Sequence, residues 1–544
     1  MFSLLKQNWR SGLTVALISI PLSISLAVAS GATPAMGIIT AIWAGLLAAL
    51  FGGSNYNIVG PAGALSAALA AFSITHGMEL LPSLAIVTGL FIGLAYLFRL
   101  ERYLVLVPSA VMHGFSLGVG IIIGLGQLNF AFGLHGLTKH PEFIQNTAET
   151  FRHIFELQAG TTLVFVLFLL GLFACLKLVP KIPGAILLTP FGILLGFLSQ
   201  TGRIPLAIET LGQRFPNNTI DIFTLPSFHF SSAVLSAGLG IAFIAILETL
   251  ISAKIADIMT HTTFDRRREM IGLAIANIGS GLFGGLPATG VFVRTGLNVR
   301  SGATHKISSG INAVCVALIS LFLFRYFNYI PMAVIASILV FASIRMVETK
   351  HLKELWLFSR RDFWLAIVTA TTMILIDTVA GIIVGSLLAL LFFVEQLSKG
   401  QFEMTINNEE HEIIERYYED PKDGFVQTGD VAVYSMKGEL TYIDVEAHTN
   451  RITHGANSFQ TIILRMRELS IVDLEGVHAF DAIVEQLRDA HKNIYISSVH
   501  EHVEAMLTKG HTYTELQQEG HVFENTRSAL QHLGFNKRNL KMDE

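Results

Sequence analysis

Twelve long apolar stretches follow one another along the chain, separated for the most part by short polar connections. A helix that crosses a membrane needs about 20 mostly apolar residues. The pattern therefore predicts membrane-spanning helices at residues 12–30, 34–51, 80–98, 108–129, 160–178, 183–200, 231–253, 269–286, 306–324, 330–347, 363–380 and 381–397.

Two further segments, near residues 60–74 and 290–302, are apolar but short and rich in glycine or proline. Paired interrupted segments in two halves of a chain are typical of transporter binding sites. A half-helix begins inside the membrane, so its unpaired N–H groups and positive dipole end point at the midplane. Two such N-termini facing each other predict an anion-binding site.

An internal repeat relates these two segments. The tetrapeptide Leu-Phe-Gly-Gly at 50–53 recurs at 282–285, and a short segment follows each copy. The offset of 232 residues corresponds to seven segments, and because seven is odd the second copy enters the membrane from the opposite side. The predicted fold is a polytopic α-helical membrane protein of fourteen segments, in 7+7 inverted repeats at about 1–200 and 205–398.

The distribution of charge divides the chain into a membrane part and a soluble part. Charged residues number 40 within residues 1–400 and 38 within residues 401–544. Residues 1–398 are therefore predicted as the transmembrane domain and 399–424 as a linker. Residues 425–544 alternate strand and helix patterns and predict a small α/β domain. No basic region with interleaved aromatic residues is present, so nucleic acid is not an expected partner.

Basic residues cluster on one side of the predicted topology, for example at Arg266, Arg267 and Arg268. The positive-inside rule makes that side cytoplasmic, which predicts an inner (plasma) membrane protein whose N-terminus and C-terminal domain face the cytoplasm. No spacing of His, Cys, Asp and Glu predicts a metal site, and no nucleophile–base pair appears. We therefore expect neither a cofactor nor enzymatic activity.

Two charged residues within apolar segments are candidates for function. Glu248 lies inside a predicted span, where a carboxylate is costly and is a functional candidate by default. Ser252 is one helical turn further on. Arg294 lies at the start of the second short segment, where a permanent positive charge would strengthen an anion site or form a salt bridge, with Glu248 as one partner.

Several stretches resemble the SulP/SLC26 family of anion transporters. They are GLTVALISIPLSISLAVASGATPAMGI, LFGG followed by GPAGALSA, LETLISAKIADIMT and GLFGGLPATGVFVRTGLNVRSGAT. The stretch TIILRMRELSIVDLEGVHAF is similar to a STAS domain, the usual cytoplasmic tail of that family. The resemblance implies a core domain and a gate domain, homodimers, and an anion site between the starts of segments 3 and 10.

The residues at the family's site positions are then substrate-binding candidates: Pro21, Leu22, Ser23, Pro61, Ala62, Gly63, Ala64, Val293, Arg294 and Thr295. The acidic coupling position of the family matches Glu248. Sodium-coupled bicarbonate members carry Asp there with Thr one turn later, whereas this chain has Glu248 and Ser252. That departure favours a proton over sodium as the co-transported ion.

The sequence thus predicts a secondary active transporter of a small or inorganic anion, with sulfate or bicarbonate as first choices. Proton coupling and an elevator type of alternating access are expected, with the lipid bilayer as environment and a cytoplasmic partner possible for the STAS domain. Four alternatives stay open: a C4-dicarboxylate transporter of the same family, an uncoupled anion channel, a nucleobase transporter of the 7+7 fold, and a signalling module anchored by the membrane part.

Overall fold

The computed structural model describes residues 2–102, 107–179, 182–216, 219–223, 225–407, 413–419, 430–455 and 458–535. The chain divides into two compact units, Met1–Ala389 and Leu390–Glu544. Within the ranges just given, the first unit contains helices and one pair of two-residue strands, and the second contains a six-stranded sheet.

The first half of the membrane part contains, in chain order, α1 (Phe2–Ala29), α2 (Pro34–Phe51), β1 (Val59–Gly60), α3 (Gly63–His76), α4 (Leu81–Leu97), α5 (Ser109–Gly126), α6 (Leu128–Phe132), α7 (Phe143–Arg152), α8 (Ala159–Leu178), α9 (Gly184–Gln200) and α10 (Leu211–Arg214). The second half contains α11 (Ser232–Thr260), α12 (Arg266–Leu282), β2 (Thr289–Gly290), α13 (Phe292–Arg300), α14 (Ile307–Phe327), α15 (Met332–Met346), α16 (Thr349–Phe358), α17 (Arg360–Leu375) and α18 (Thr378–Leu397).

Each of the fourteen predicted segments coincides with one of these helices, which confirms the predicted fold class. Among the described residues, nine helical stretches are long and apolar enough to cross a membrane. The other five segments are the shorter helices α3, α9, α12, α13 and α17, of 9 to 17 residues. Helix α11 also extends beyond its predicted end at residue 253. It continues through Lys254 and Asp257 as far as Thr260.

Helix packing follows the inverted repeat. Helix α1 packs against α14 as α11 packs against α4, and α2 packs against α14 as α12 packs against α4. These helices, together with α3 and α13, form the core group (α1–α4 and α11–α14). The gate group consists of α5, α8, α9, α15, α17 and α18, in which α5 packs against α17 as α8 packs against α15. The two groups match the core and gate domains that the resemblance implies.

Small residues permit the close contacts within the core group. A Cβ atom at Gly37 of α2 would lie 2.3 Å from the carbonyl oxygen of Ser23 on α1, and one at Gly272 of α12 would lie 2.5 Å from the Cα of Gly52. Side chains cannot fit at these distances, so glycine lets the helix backbones touch. This packing fixes the positions of α1 and α2 around the two short helices.

The second unit contains β3 (Gln401–Asn407), β4 (Ile413–Tyr417), β5 (Val431–Leu440), α19 (Val445–Gly455), β6 (Thr461–Val472), α20 (Leu474–Asp489), β7 (Asn493–Ser497), α21 (Glu501–Leu507), α22 (Thr512–Gln518), β8 (Val522–Phe523) and α23 (Thr526–His532). The strand order is β4-β3-β5-β6-β7-β8. Strands β5 to β8 run parallel, whereas β3 is antiparallel to both β4 and β5. The predicted small α/β domain is therefore confirmed.

Two described strands lie within residues 399–424, which the sequence predicts as a linker. Residues Gln401–Asn407 pair along their whole length with β5 and belong to the central sheet. Phe402, Met404 and Ile406 are buried in the apolar core of the second unit. Their alternation has the period of a strand with one buried face. The polar residues just before them suggest a linker in the sequence, but the burial of this apolar face holds the segment in the sheet.

Candidate functional site

The two short helices begin at the same place in the core group. Strands β1 and β2, which lie just before α3 and α13, pair antiparallel, with Val59 opposite Gly290 and Gly60 opposite Thr289. The N–H of Val291 also donates to the carbonyl oxygen of Ile58 at 2.8 Å. These bonds satisfy backbone groups deep in the apolar interior, where unpaired ones would be costly.

Neither short helix has a side-chain cap. The N-cap residues are Ala62 for α3 and Val291 for α13, and neither has a side chain that can accept a hydrogen bond from the first turn. The free N–H groups of a helix start and its positive dipole end attract anions. The strand pair brings two such helix starts together, so positive potential from both converges on one region.

Arg294, in the first turn of α13, is 1% exposed. Its guanidinium donates to the carbonyl oxygen of Pro61, just before α3, and to Ser23 Oγ on α1 at 3.4 Å. Its Nε atom has no hydrogen-bond partner in the part of the chain that the structure describes. A Cβ atom at Gly60 would lie 2.8 Å from the Nη1 atom of Arg294, so the missing side chain at position 60 makes room for the guanidinium.

Glu248 is buried in the middle of α11 and faces β2. Its Oε2 atom accepts a hydrogen bond from the Thr289 hydroxyl at 2.6 Å, and the neighbouring Thr249 accepts one from the Gly290 N–H at 2.8 Å. Glu248 and Arg294 form no direct salt bridge within the described ranges, although their charges interact. The carboxylate thus lies beside Thr289 of β2, and the guanidinium lies beside Gly60 of β1.

The predicted site residues fall into three contact groups. Ser23, Pro61 and Arg294 share the hydrogen bonds just given, and Glu248 joins Thr289. In the third group the Thr295 hydroxyl accepts from the Ile58 N–H at 3.0 Å and lies 2.9 Å from Ser252 Oγ.

Of the remaining predicted residues, Pro21, Ala62 and Ala64 are buried, whereas Leu22 and Gly63 are half-buried. Pro21 does not interrupt α1. Val293 has 46% of its surface exposed, so its side chain points away from the buried cluster.

Four buried residues next to these groups were not predicted from the sequence: Asn57, Thr249, Glu269 and Thr289. Asn57 Oδ1 lies 2.7 Å from Ser252 Oγ and 2.9 Å from Thr295 Oγ1, and Asn57 Nδ2 donates to Glu269 Oε1 at 2.7 Å. Thr289 directly precedes Gly290 in the segment that leads into α13. A hydroxyl side chain within this apolar stretch is a sequence feature from which a site residue could have been predicted. Glu269 directly follows three arginines, so its sequence position indicates a solvated helix start instead of a buried contact.

Comparison with protein families gives two matches. The sulfate permease family matches residues 5–369, and the STAS domain matches residues 425–529. The first match covers the core group and most of the gate group. The second covers the sheet from β5 onward and its helices.

Similar proteins are transporters by name. "Putative sulfate transporter YvdB" of Bacillus subtilis is 29% identical over 507 residues, which is 92% of each chain. "Bicarbonate transporter BicA" of a Picosynechococcus strain is 24% identical and covers 89% of this chain and 87% of its own. "Sodium-independent sulfate anion transporter" of Bos taurus is 26% identical, over 74% of this chain and 71% of its own.

Solved structures share the fold. The murine Slc26a9 anion transporter in its inward-facing state matches with a TM-score of 0.81 at 15% identity, covering 98% of this chain and 92% of the other. The transmembrane domain of a cyanobacterial BicA matches with a TM-score of 0.63 at 23% identity, covering 70% and 98%. With its membrane part matched by the family and its tail by the STAS domain, the chain belongs to the sulfate permease family of multi-pass membrane anion transporters.

Proposed function

We propose that this protein is a proton-coupled secondary transporter of a small inorganic anion, with sulfate the first choice and bicarbonate the second. The observation that carries the proposal is the convergence of Arg294 and two uncapped helix starts on the strand pair, with Glu248 hydrogen-bonded to Thr289 of β2. The anion would bind the free N–H groups at the start of α3 and α13. The residues around it would be Pro21, Leu22, Ser23, Pro61, Ala62, Gly63, Ala64, Val293, Arg294 and Thr295, with Val293 contributing its main chain because its side chain points away.

Charge balance favours a divalent anion together with a proton. Each helix N-terminus contributes roughly half a positive charge, so with Arg294 the site carries about two positive charges. An ionised Glu248 reduces that sum to about one, which matches a monovalent anion. Protonation of Glu248 restores the second charge and allows sulfate to bind without excess negative charge in a low-dielectric interior.

The surroundings of Ser252 support a proton over sodium. Its hydroxyl lies 2.7 Å from Asn57 Oδ1 and 2.9 Å from Thr295 Oγ1, and those two oxygens are 2.9 Å apart. Hydrogen bonds among the three oxygens satisfy them without a metal ion, and Glu248 is the group beside the strand pair that can take up a proton. The relative from Bos taurus, which is named sodium-independent, agrees with this choice.

The location of the site supports an elevator movement. All the proposed binding and coupling residues lie on core-group helices or directly before α3. A rigid core group would carry the bound anion and the protonated Glu248 past the gate group together. We place the N-terminus and the STAS domain in the cytoplasm, on the basis of the basic clusters, and expect a homodimer in the inner membrane.

The test is uptake of labelled sulfate and bicarbonate into proteoliposomes with and without an inward proton gradient. The proposal expects saturable uptake against a concentration gradient, stimulated by protons and unaffected by sodium. Glu248→Gln should abolish proton stimulation, whereas the matched change Asp257→Asn, further along the same helix, should preserve it. Full proton stimulation in Glu248→Gln would refute the coupling role.

The same preparation separates the alternatives. Conductance that follows the electrochemical gradient without saturation indicates a channel, and uptake of succinate or uracil in place of sulfate indicates a dicarboxylate or nucleobase transporter. Channel conductance would replace the coupled mechanism, and uptake of succinate or uracil would replace the inorganic anion as substrate. Each result is read on the unmodified protein.

A further inference from the structure

A second buried carboxylate, outside the proposed binding site, holds the approach to α3. Glu269 lies in the first turn of α12 and is 3% exposed. Its Oε2 atom accepts hydrogen bonds from the N–H groups of Gly53 and Ser54, both at 2.8 Å, and its Oε1 atom accepts from Asn57 Nδ2 at 2.7 Å. An ionised carboxylate accepts hydrogen bonds and donates none, and three donors contact Glu269.

A positively charged side chain, Lys306, contacts the C-terminal end of α2. Lys306 Nζ donates to the carbonyl oxygens of Leu50 at 3.1 Å and Gly52 at 3.3 Å. A cation thus binds the last carbonyls of α2, and Glu269 binds the N–H groups that follow them. Both contacts complement the partial charges of the backbone, so the turn at residues 50–54 is fixed by a pair of opposite charges.

Asn57 connects Glu269 to the proposed binding site. Its Nδ2 atom donates to Glu269 Oε1 and to the carbonyl oxygen of Thr249 at 3.3 Å, which uses both of its hydrogens. Its Oδ1 atom faces the hydroxyls of Ser252 and Thr295. Because Glu269 accepts only, the amide of Asn57 must present nitrogen to it and oxygen to the two hydroxyls.

We infer that Glu269 is a positioning residue for anion binding, acting through Asn57 on Ser252 and Thr295 and through the turn on the start of α3. The inference rests on the proposed function, since its effect is on the anion site described above. An ionised Glu269 directs the two hydroxyl protons toward Asn57 Oδ1. A neutral amide in its place would keep its oxygen on the Gly53 and Ser54 N–H groups and turn its NH2 group toward Asn57 Nδ2, so the hydrogen bond that orients Asn57 would be lost.

The first test compares Glu269→Gln with Asp265→Asn in sulfate uptake by proteoliposomes. Asp265 is exposed at the N-cap of the same helix, so its variant loses the same charge four residues away. Glu269→Gln should raise KM for sulfate by at least about fivefold with kcat changed less than about twofold. Asp265→Asn should leave both parameters unchanged. If Glu269 only supported folding, fewer active molecules would lower Vmax at unchanged KM, and that result would overturn the inference.

The second test asks whether Glu269 acts through Asn57. In an Asn57→Ala background, Glu269→Gln should raise KM by much less than it does alone, because the path to Ser252 and Thr295 is already broken. Independent, multiplying effects of the two changes would contradict the inference. If Asn57→Ala yields no folded protein, Ser252→Ala provides the second cycle. Failure of the unmodified protein to transport any anion would refute the proposed function itself, whereas normal transport with an unaffected Glu269→Gln refutes only this inference.

Discussion

The guanidinium of Arg294 donates a hydrogen bond to the carbonyl oxygen of Pro61, so the first turn of one short helix is joined to the residues that lead into the other. The guanidinium therefore links the two halves of the repeat, because Arg294 lies in the second half and Pro61 in the first. Its remaining Nε–H faces no partner among the described residues.

Replacing Arg294 should weaken anion binding more than any other single change at the site. Arg294→Gln removes the permanent charge and the fork of donors, and hydrogen bonds to charged groups are worth about 1.5–3 kcal/mol. We expect KM for the anion to rise about 10- to 100-fold. The measurement is concentration-dependent uptake, with Arg300→Gln as the control, because Arg300 is exposed at the other end of the same helix. Equal KM values for the two variants would contradict the assigned role.

Adding one methyl group at Gly60 should disturb the same contact sterically. The new Cβ atom would lie 2.8 Å from Arg294 Nη1, so the guanidinium must move off the Pro61 carbonyl. Gly60→Ala is expected to raise KM several-fold while the protein still folds. Gly296→Ala on α13 is the control, since a Cβ there meets nothing within 4 Å. An unchanged KM in Gly60→Ala would show that the position of the guanidinium is not important for binding.

Close packing of α1 on α2 predicts a loss of stability at Gly37. A Cβ atom at Gly37 would lie 2.3 Å from the Ser23 carbonyl oxygen, and backbone cannot yield as a side chain can. Overpacking of this kind costs about 1–3 kcal/mol. The melting temperature of purified Gly37→Ala in detergent should fall by several degrees. Gly93→Ala, where the added Cβ meets nothing within 4 Å, should melt like the unmodified protein.

In the STAS domain, His511 should make stability depend on pH. The hydrogen bond to Glu485 Oε1 at 2.9 Å, assisted by the charge of Asp481, raises the pKa of His511 above its ordinary value. Stabilisation by the charged imidazole is therefore complete below the pKa of the unfolded chain and is lost as pH rises through the higher folded value.

Proteolysis of the C-terminal unit in urea, on full-length protein at several pH values, measures this dependence. The unmodified protein should resist cleavage better near pH 6 than near pH 8, and His511→Gln should reduce that difference. His478→Gln, a change of another exposed histidine in the same domain, should retain it. A pH dependence that is the same in all three proteins would refute the role of His511.

The membrane segments could be predicted because lipid imposes a length and an apolar composition on each of them. The two short helices could be found because glycine, proline and the repeated tetrapeptide mark their approaches. Asn57 and Glu269 could not, since their importance comes from contacts between positions 212 residues apart. Strand β3 carries a visible alternation at Phe402, Met404 and Ile406, but only its pairing with β5 shows that it belongs to the domain.

The antiparallel pair β1–β2 joins the two copies of the repeat through the main chain. The side chains around this symmetric element differ between the two copies of the repeat. The residues 232 positions before Glu248 and Arg294 are Ala16 and Ala62. Both charges of the site therefore come from the second copy, whereas the first supplies the Ser23 hydroxyl and the Pro61 carbonyl oxygen that accept hydrogen bonds from Arg294.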